Sequence, residues 1–303
     1  MNARRALRLG ASILGSVVLL FVVAAGGVYV RGERIINKTL HPPAHARLVI
    51  PSDSASVARG EHIAHSFGTC TLCHGVDLGG GVYMDAGPMG MVAGPNLTGG
   101  AGGIAGQLTD DDWVRAIRYG VGRDSASLLV MPSEVFVHLS DGDLASLIAY
   151  LKQMPPVDRS VPQSRFRWLG KLLTGAGKLN ILPASKTEPL ISVPNVAPAV
   201  SAEYGRYLAE AGGCAGCHGY GLSGGRVAGP PGLPPASNLT PAGPIRAWTE
   251  ADFFRAMRQG TRPDGTQLNE FMPWRQLGQM TDDELRAIWL YLQSVPAKPF
   301  GHK

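Results

Sequence analysis

Apolar and polar positions divide the chain into one long uncharged run and two similar sets of short amphipathic segments. The run extends from Leu9 to Val30, 22 residues without a charge, and follows Arg4, Arg5 and Arg8. About 20 apolar helical residues span a bilayer, so the run predicts a transmembrane helix with its basic flank left in the cytoplasm. A cleaved signal peptide is the competing reading, but the run is longer than the usual ~7–15-residue apolar core of such peptides. Downstream, Val114, Ile117 and Arg118 recur at helical spacing, as do Phe254, Met257 and Arg258. Leu144, Leu147, Ile148 and Leu151 mark the apolar face of a further helix. Thr109, Thr249, Ser140 and Thr281 are predicted N-caps, and Asp143 and Glu284 stand where a capping box needs its acid. Pro155 and Pro296 stop the last helix of each set. No stretch alternates convincingly with period two, so the prediction is all-α.

The second half repeats the first. "TDDDWVRAIRYG" (109–120) corresponds to "TEADFFRAMRQG" (249–260), and "LSDGDLASLIAYLKQMP" (139–155) to "MTDDELRAIWLYLQSVP" (280–296). The reading that follows is an anchor and juxtamembrane segment over 1–50, a first domain over 51–158, a linker over 159–198 and a second domain over 199–303. Inside the linker, "RFRWLGKLLTGAGKL" predicts a short basic amphipathic helix. It either packs against a domain or rests on anionic lipid near the anchor.

Charge changes little of this. The net +5 combines +6 in residues 1–50, −7 in 51–158, +5 in 159–198 and +1 in 199–303. The basic balance therefore belongs to the anchor flanks and the linker, and gives no reason to invoke nucleic acid. A partner docking on the acidic first domain would present a basic face.

The chemistry lies in the cysteines. All four fall in "CTLCH", with Cys70, Cys73 and His74, and in "CAGCH", with Cys214, Cys217 and His218. A zinc ribbon places its two Cys pairs ~15–20 residues apart around one metal; here Cys73 and Cys214 are 141 apart, in separate repeats. A thioredoxin-like pair needs a strand–helix setting and has no obligatory following histidine, whereas here the surroundings are helical and a histidine follows both times. Structural disulfides leave both histidines unexplained. The remaining reading is two covalently bound haem c groups. Thiols three residues apart can each add to a vinyl group on one porphyrin edge, and the next residue supplies an imidazole to the iron.

For the opposite side of each iron the candidates are Met131, His138, Met84, Met89 and Met91 in the first repeat, and Met272, Met257 and Met280 in the second. Only Met131 and Met272 coincide under the repeat, each followed by a stiffening proline. The metal ligands are therefore expected to be His74, Met131, His218 and Met272. The carbonyl before Asn96, at Pro95, and its counterpart at Ser237 are candidate acceptors for the second ring nitrogen of each histidine. Arg118, Arg123, Arg258 and Arg262 either pair with haem propionates or are ordinary solvated charges. His62 and His65 read as surface residues, and His41, His45 and His302 as tail residues.

The order "CTLCH…GPNLT…MPSEV…LSDGDLASLIAYL", repeated as "CAGCH…SNLT…FMPW…MTDDELRAIWLYL", resembles class I c-type cytochromes from about Ser54 to Pro296. The "NLT" and "MP" elements look most like membrane-anchored multihaem cytochromes that accept electrons from bacterial periplasmic dehydrogenases. That resemblance implies two tandem class I cytochrome c domains, all-α, behind an N-terminal transmembrane helix. It also implies haem attachment and one-electron transfer on the periplasmic side of the inner membrane, with a membrane or periplasmic oxidoreductase complex as redox partner. Such dehydrogenase subunits usually carry three haems, and this chain has sites for two. No general base, nucleophile or substrate pocket is evident, so an electron relay rather than an enzyme is expected. The alternative is a dihaem peroxidase-like enzyme with one open haem.

Overall fold

A computed structural model describes residues 3–42, 44–187, 190–227 and 232–302; Glu188 and Pro189 of the linker lie outside it. The helices, in chain order, are α1 (Ala3–Ile36), α2 (Ser54–His65), α3 (Cys70–His74), α4 (Asp110–Tyr119), α5 (Ser133–Phe136), α6 (Asp141–Gln153), α7 (Trp168–Gly175), α8 (Ala202–Ala211), α9 (Cys214–His218), α10 (Glu250–Gln259), α11 (Trp274–Leu277) and α12 (Asp282–Ser294). α8 to α12 repeat α2 to α6 one for one. The fold is all-α in the sense expected, with one small addition. Strands β1 (Gly81–Asp85), β2 (Gly90–Gly94) and β3 (Arg165–Phe166) form an antiparallel sheet in that order. Its strands are two to five residues long, glycine-rich and bulged between Val82 and Met84, so no alternation announces them. β3 comes from the linker, a pairing no local pattern encodes.

The predicted caps form. Thr109, Thr249 and Thr281 each close a capping box, with Asp112, Asp252 and Glu284 respectively. Ser140 accepts from Asp143 N, but the Asp143 carboxylate turns elsewhere. Within each repeat the first helix crosses the last, α2 on α6 and α8 on α12, with their backbones almost in contact. A Cβ at Gly60 would collide with the Ser146 carbonyl, and one at Gly205 with the Ala287 carbonyl. Ile63, Leu147 and Ile148 fill the first crossing; Leu208, Leu285 and Ile288 fill the second.

The two repeats meet through these same helices, in a pseudo-twofold arrangement. His62 and Tyr207 each lie two residues after their crossing glycine. His62 Nε2 lies 2.6 Å from Glu284 Oε2, and the Tyr207 hydroxyl donates to Asp143 Oδ2 at 2.6 Å. Asp143 and Glu284 occupy equivalent positions in the first turns of α6 and α12. Arg59, one residue before Gly60, binds both acids: Nη2 to Asp143 Oδ2 and Nη1 to Glu284 Oε1, each 2.8 Å. Its counterpart Tyr204 lies against the same guanidinium at 3.2 Å. The surface reading of His62 is thus corrected: it faces the other repeat. His65 likewise lies 3.1 Å from the Tyr150 hydroxyl rather than free in solvent.

α1 meets the expectation for a span by length and composition. Leu7–Ile36 reaches a mean hydropathy of 2.5 in its most apolar window, none of which is buried inside the protein. The chain leaving it is tied to the first repeat: Leu40 N donates to Ser125 O at 2.8 Å. His45, read as a tail residue, is packed beside Tyr119 with Nε2 3.0 Å from Asp111.

Two expectations follow. Gly60→Ala or Gly205→Ala should cost about 1–3 kcal/mol or more in denaturant unfolding, because the added methyl must push two backbones apart. The second concerns pH. Burial alone would raise the Glu284 carboxyl, but hydrogen bonding and charge from His62, the Thr281 amide and Arg59 outweigh it and bring it from 4.5 down to about 2. A depressed carboxyl stabilises the fold fully above its unfolded value and loses that contribution as pH falls through the folded one. Stability should therefore decline between pH 4.5 and about 2. Glu284→Gln should remove about 1.5–3 kcal/mol at neutral pH and flatten that part of the profile.

Candidate haem-attachment sites

Each Cys-x-x-Cys-His segment is a single helical turn entered from a left-handed residue, Thr69 (φ 48°) or Gly213 (φ 73°). The turn carries both cysteines and the histidine on five consecutive residues, as the spacing requires. Burial pushes the Cys70 thiol up to about 12, and burial likewise raises Cys73 to about 11, Cys214 to about 11 and Cys217 upward. Thiols raised by burial are the reverse of an activated redox thiolate.

Both histidines are buried, 7% and 9% exposed. His74 Nδ1 lies 2.9 Å from the Pro95 carbonyl and His218 Nδ1 lies 2.8 Å from the Ser237 carbonyl. A carbonyl only accepts, so Nδ1 carries the proton and Nε2 is left as the lone-pair donor. Burial lowers both imidazoles despite the carbonyl, which keeps them neutral. These are the acceptors expected from the sequence. The exchange of proline for serine is immaterial because only the backbone oxygen is used.

The loop that presents the carbonyl is held by contacts the sequence reading missed. Asn96 Oδ1 accepts from Thr98 N and Oγ1 at 2.9 and 2.8 Å, while its Nδ2 donates to Val157 O at 2.7 Å. Asn238 does the same with Thr240, at 2.9 and 2.8 Å, and with Lys298 O at 2.8 Å. Leu97 N and Leu239 N donate to Leu78 O and Leu222 O, whose residues adopt left-handed backbone. Gly80 and Gly224, both at positive φ, have room for no Cβ against the carbonyl loop. The recurring "NLT" was the available signal, but its partners lie some sixty residues downstream, beyond any local pattern.

Met131 and Met272 occupy equivalent turns. Each is half-buried and packed against the core, as are Cys70 and Cys214. Pro132 and Pro273 cap α5 and α11, and the methionine carbonyls accept from Ser133 N at 2.8 Å and Trp274 N at 2.7 Å. Of the competing sulfurs, Met91, Met257 and Met280 are buried core residues and Met84 is exposed on β1. Two of the four arginines, Arg118 and Arg258, are engaged by protein groups. Arg118 is fully buried, giving Nη1 to Asp141 at 2.7 Å and Nη2 to Leu139 O at 2.8 Å. Arg258 binds the Gly278 carbonyl and Asp282, the latter at 2.6 Å. Both guanidiniums tie a mid-repeat helix to the start of the last one.

These donor sets fit a haem better than a bare ion. Among the described residues no three His, Cys, Asp or Glu side chains converge as a metal ion alone would need. What each site offers is two separate thiols and one oriented imidazole, the functional groups that attach and ligate an iron porphyrin.

A family model for cytochrome c matches residues 57–155 and 202–296. The cytochrome c subunit of a quinone alcohol dehydrogenase from Gluconobacter oxydans is 28% identical over 295 residues, covering 85% of this chain and 58% of that protein. The gluconate 2-dehydrogenase cytochrome c subunit of Pantoea cypripedii is 28% identical over 284 residues, covering 82% and 61%. A diheme cytochrome c-type protein of Cereibacter sphaeroides is 29% identical over 272 residues, covering 80% and 87%. The chain thus spans less than two thirds of the two dehydrogenase subunits it resembles.

Asn238→Ala should test the loop tether: losing its hydrogen bonds should cost about 1–3 kcal/mol in thermal or denaturant unfolding of the second repeat. The first repeat, with Asn96 intact, should unfold as before.

Proposed function

The chain belongs to the cytochrome c family of electron-transfer proteins, and from that premise we propose that it binds two haems c and relays single electrons in the periplasm while anchored to the inner membrane by α1. The observation that carries this reading is the duplicated imidazole–carbonyl pair, His74 with Pro95 and His218 with Ser237. In this proposal Cys70 and Cys73 hold one haem by thioether bonds, and Cys214 and Cys217 the other. His74 with Met131, and His218 with Met272, are the side chains that would ligate the two irons. Bound haem supplies a one-electron iron couple, which His/Met ligation sets at a raised potential.

The chain's own contribution is orientation and exclusion of water. Pro95 O and Ser237 O fix the ring planes and the tautomer, and make Nε2 a better donor. Asn96 and Asn238 keep those carbonyls in place. Burial of both rings keeps water away from the ligand face. The functional units of the proposal are the two repeats, taken as 51–158 and 199–303.

Relatives named as cytochrome c subunits of alcohol and gluconate dehydrogenases support an oxidoreductase as the electron donor. The charge of the first repeat, −7, suits a donor or acceptor with a basic face. A basic N-terminal flank and an apolar helix support the orientation with both repeats outside the cytoplasm.

Expression in a host competent for haem c maturation should yield a red membrane protein. Its denatured polypeptide should stain for haem and exceed the apo mass by two haems; a colourless product, or one haem only, would overturn the reading. Met131→Ala and Met272→Ala should each lower the potential of one haem and leave the other unchanged. If neither substitution alters a spectrum or a potential, the axial assignment is wrong.

A further inference from the structure

The linker helix α7 has a place in the fold that the electron-transfer reading leaves unused. It packs on the end of α1, and the two backbones touch: a Cβ at Gly175 would collide with the Val28 carbonyl, and one at Gly32 with the Lys171 carbonyl. Lys171 Nζ pairs with Glu33 at 2.5 Å and lies 5.5 Å above the Tyr29 ring. Val28 belongs to the uncharged run that ends at Val30, so α7 sits level with the last turn of the apolar span. It is tied equally closely to the first repeat. A Cβ at Gly170 would collide with the Met89 carbonyl, and Phe166, just before α7, pairs with Gly90 in the sheet.

At 100° per residue these contacts assign two sides of the helix. Gly170 faces the first repeat, and Lys171 and Gly175 face α1. The remaining arc carries Trp168, Leu169, Leu172 and Leu173, with Ala176 just past the helix. Trp168 is 58% exposed, Ala176 is exposed and the three leucines are half-exposed. An apolar arc with a tryptophan, held at the depth where a spanning helix leaves the hydrocarbon, has the composition and position of a segment at the membrane interface.

We propose that α7 lies in the headgroup–acyl boundary of the bilayer beside the exit of α1, with the Trp168–Leu172 arc immersed. The α1–α7 pair is then a foot that holds the first repeat at a fixed height and tilt over the membrane. This rests on the reading of α1 as a membrane anchor. The occupant of the arc is phospholipid: α7 packs on the end of α1 at Val28 and Gly32, and residues 9–24 of that helix are exposed throughout. Arg31 and Arg34, exposed just past the span and in no ion pair among the described residues, are placed to reach the headgroup phosphates.

The test uses the full-length haem-loaded chain in nanodiscs containing a phospholipid with a photoreactive group near the top of its acyl chain. After illumination, lipid adducts are mapped by peptide mass spectrometry. Adducts are expected in α1 and in the two tryptic peptides of α7, Trp168–Lys171 and Leu172–Lys178. Gly175→Val, which drives α7 off α1, should remove the α7 adducts and keep those on α1. Adducts on α1 with none on α7 would overturn the inference while leaving the anchor intact. Absence of adducts from both would overturn the anchor reading itself. Particles with two chains per disc and unlabelled α7 would assign the arc to a second copy instead, and would equally overturn the proposal.

Discussion

Two close helix crossings, each possible only because a hydrogen stands where other residues carry a methyl, organise this protein. Gly60 lets α2 lie against the backbone of α6, and Gly205 lets α8 lie against α12. Each crossing fixes the direction in which the following chain leaves, and that chain is the Cys-x-x-Cys-His turn. The position of the attachment helix is therefore set by a packing contact well before the first cysteine. A tightly packed core transmits displacements rather than absorbing them, so this contact governs the site at a distance.

The same crossings produce the joint between the repeats. Residues one before and two after each glycine point away from the crossing and toward the other repeat. There Arg59, His62, Tyr204 and Tyr207 meet Asp143 and Glu284. Buried charges are a weak source of stability, since desolvation offsets most of their attraction. They are unforgiving of misalignment, however, because any slip leaves a buried acid without its base. The cluster therefore fixes how the two repeats sit against each other. Duplication has diverged here in an informative way: one repeat supplies an arginine and a histidine, the other two tyrosines, so the joint is asymmetric in charge although symmetric in position.

At the sites themselves the second nitrogen of each imidazole is satisfied by a backbone carbonyl, and the rest of the loop exists to hold that oxygen still. Asparagine and threonine side chains tie it to the segment that follows the last helix, at Val157 in one repeat and Lys298 in the other. The site is thus closed by the two ends of each repeat. An oriented, dry imidazole needs no reorganisation when the charge of its partner changes, which is the requirement of a group that passes electrons.

The sequence by itself determined the repeat, the capped helices, the apolar span, the grouping of Cys70, Cys73 and His74 with their counterparts, and the carbonyls of Pro95 and Ser237. Each of these depends on residues close in the chain or on comparing one half with the other. Tertiary structure alone decided that His62 faces Glu284, that Arg118 and Arg258 tie helix junctions, and that a linker dipeptide extends a sheet built from glycine-rich strands. It also decided that α7 seats on α1. The reason is common to all four: each partner lies twenty or more residues away and leaves no periodic trace, because a single hydrogen bond or glycine contact constrains one position and not a pattern.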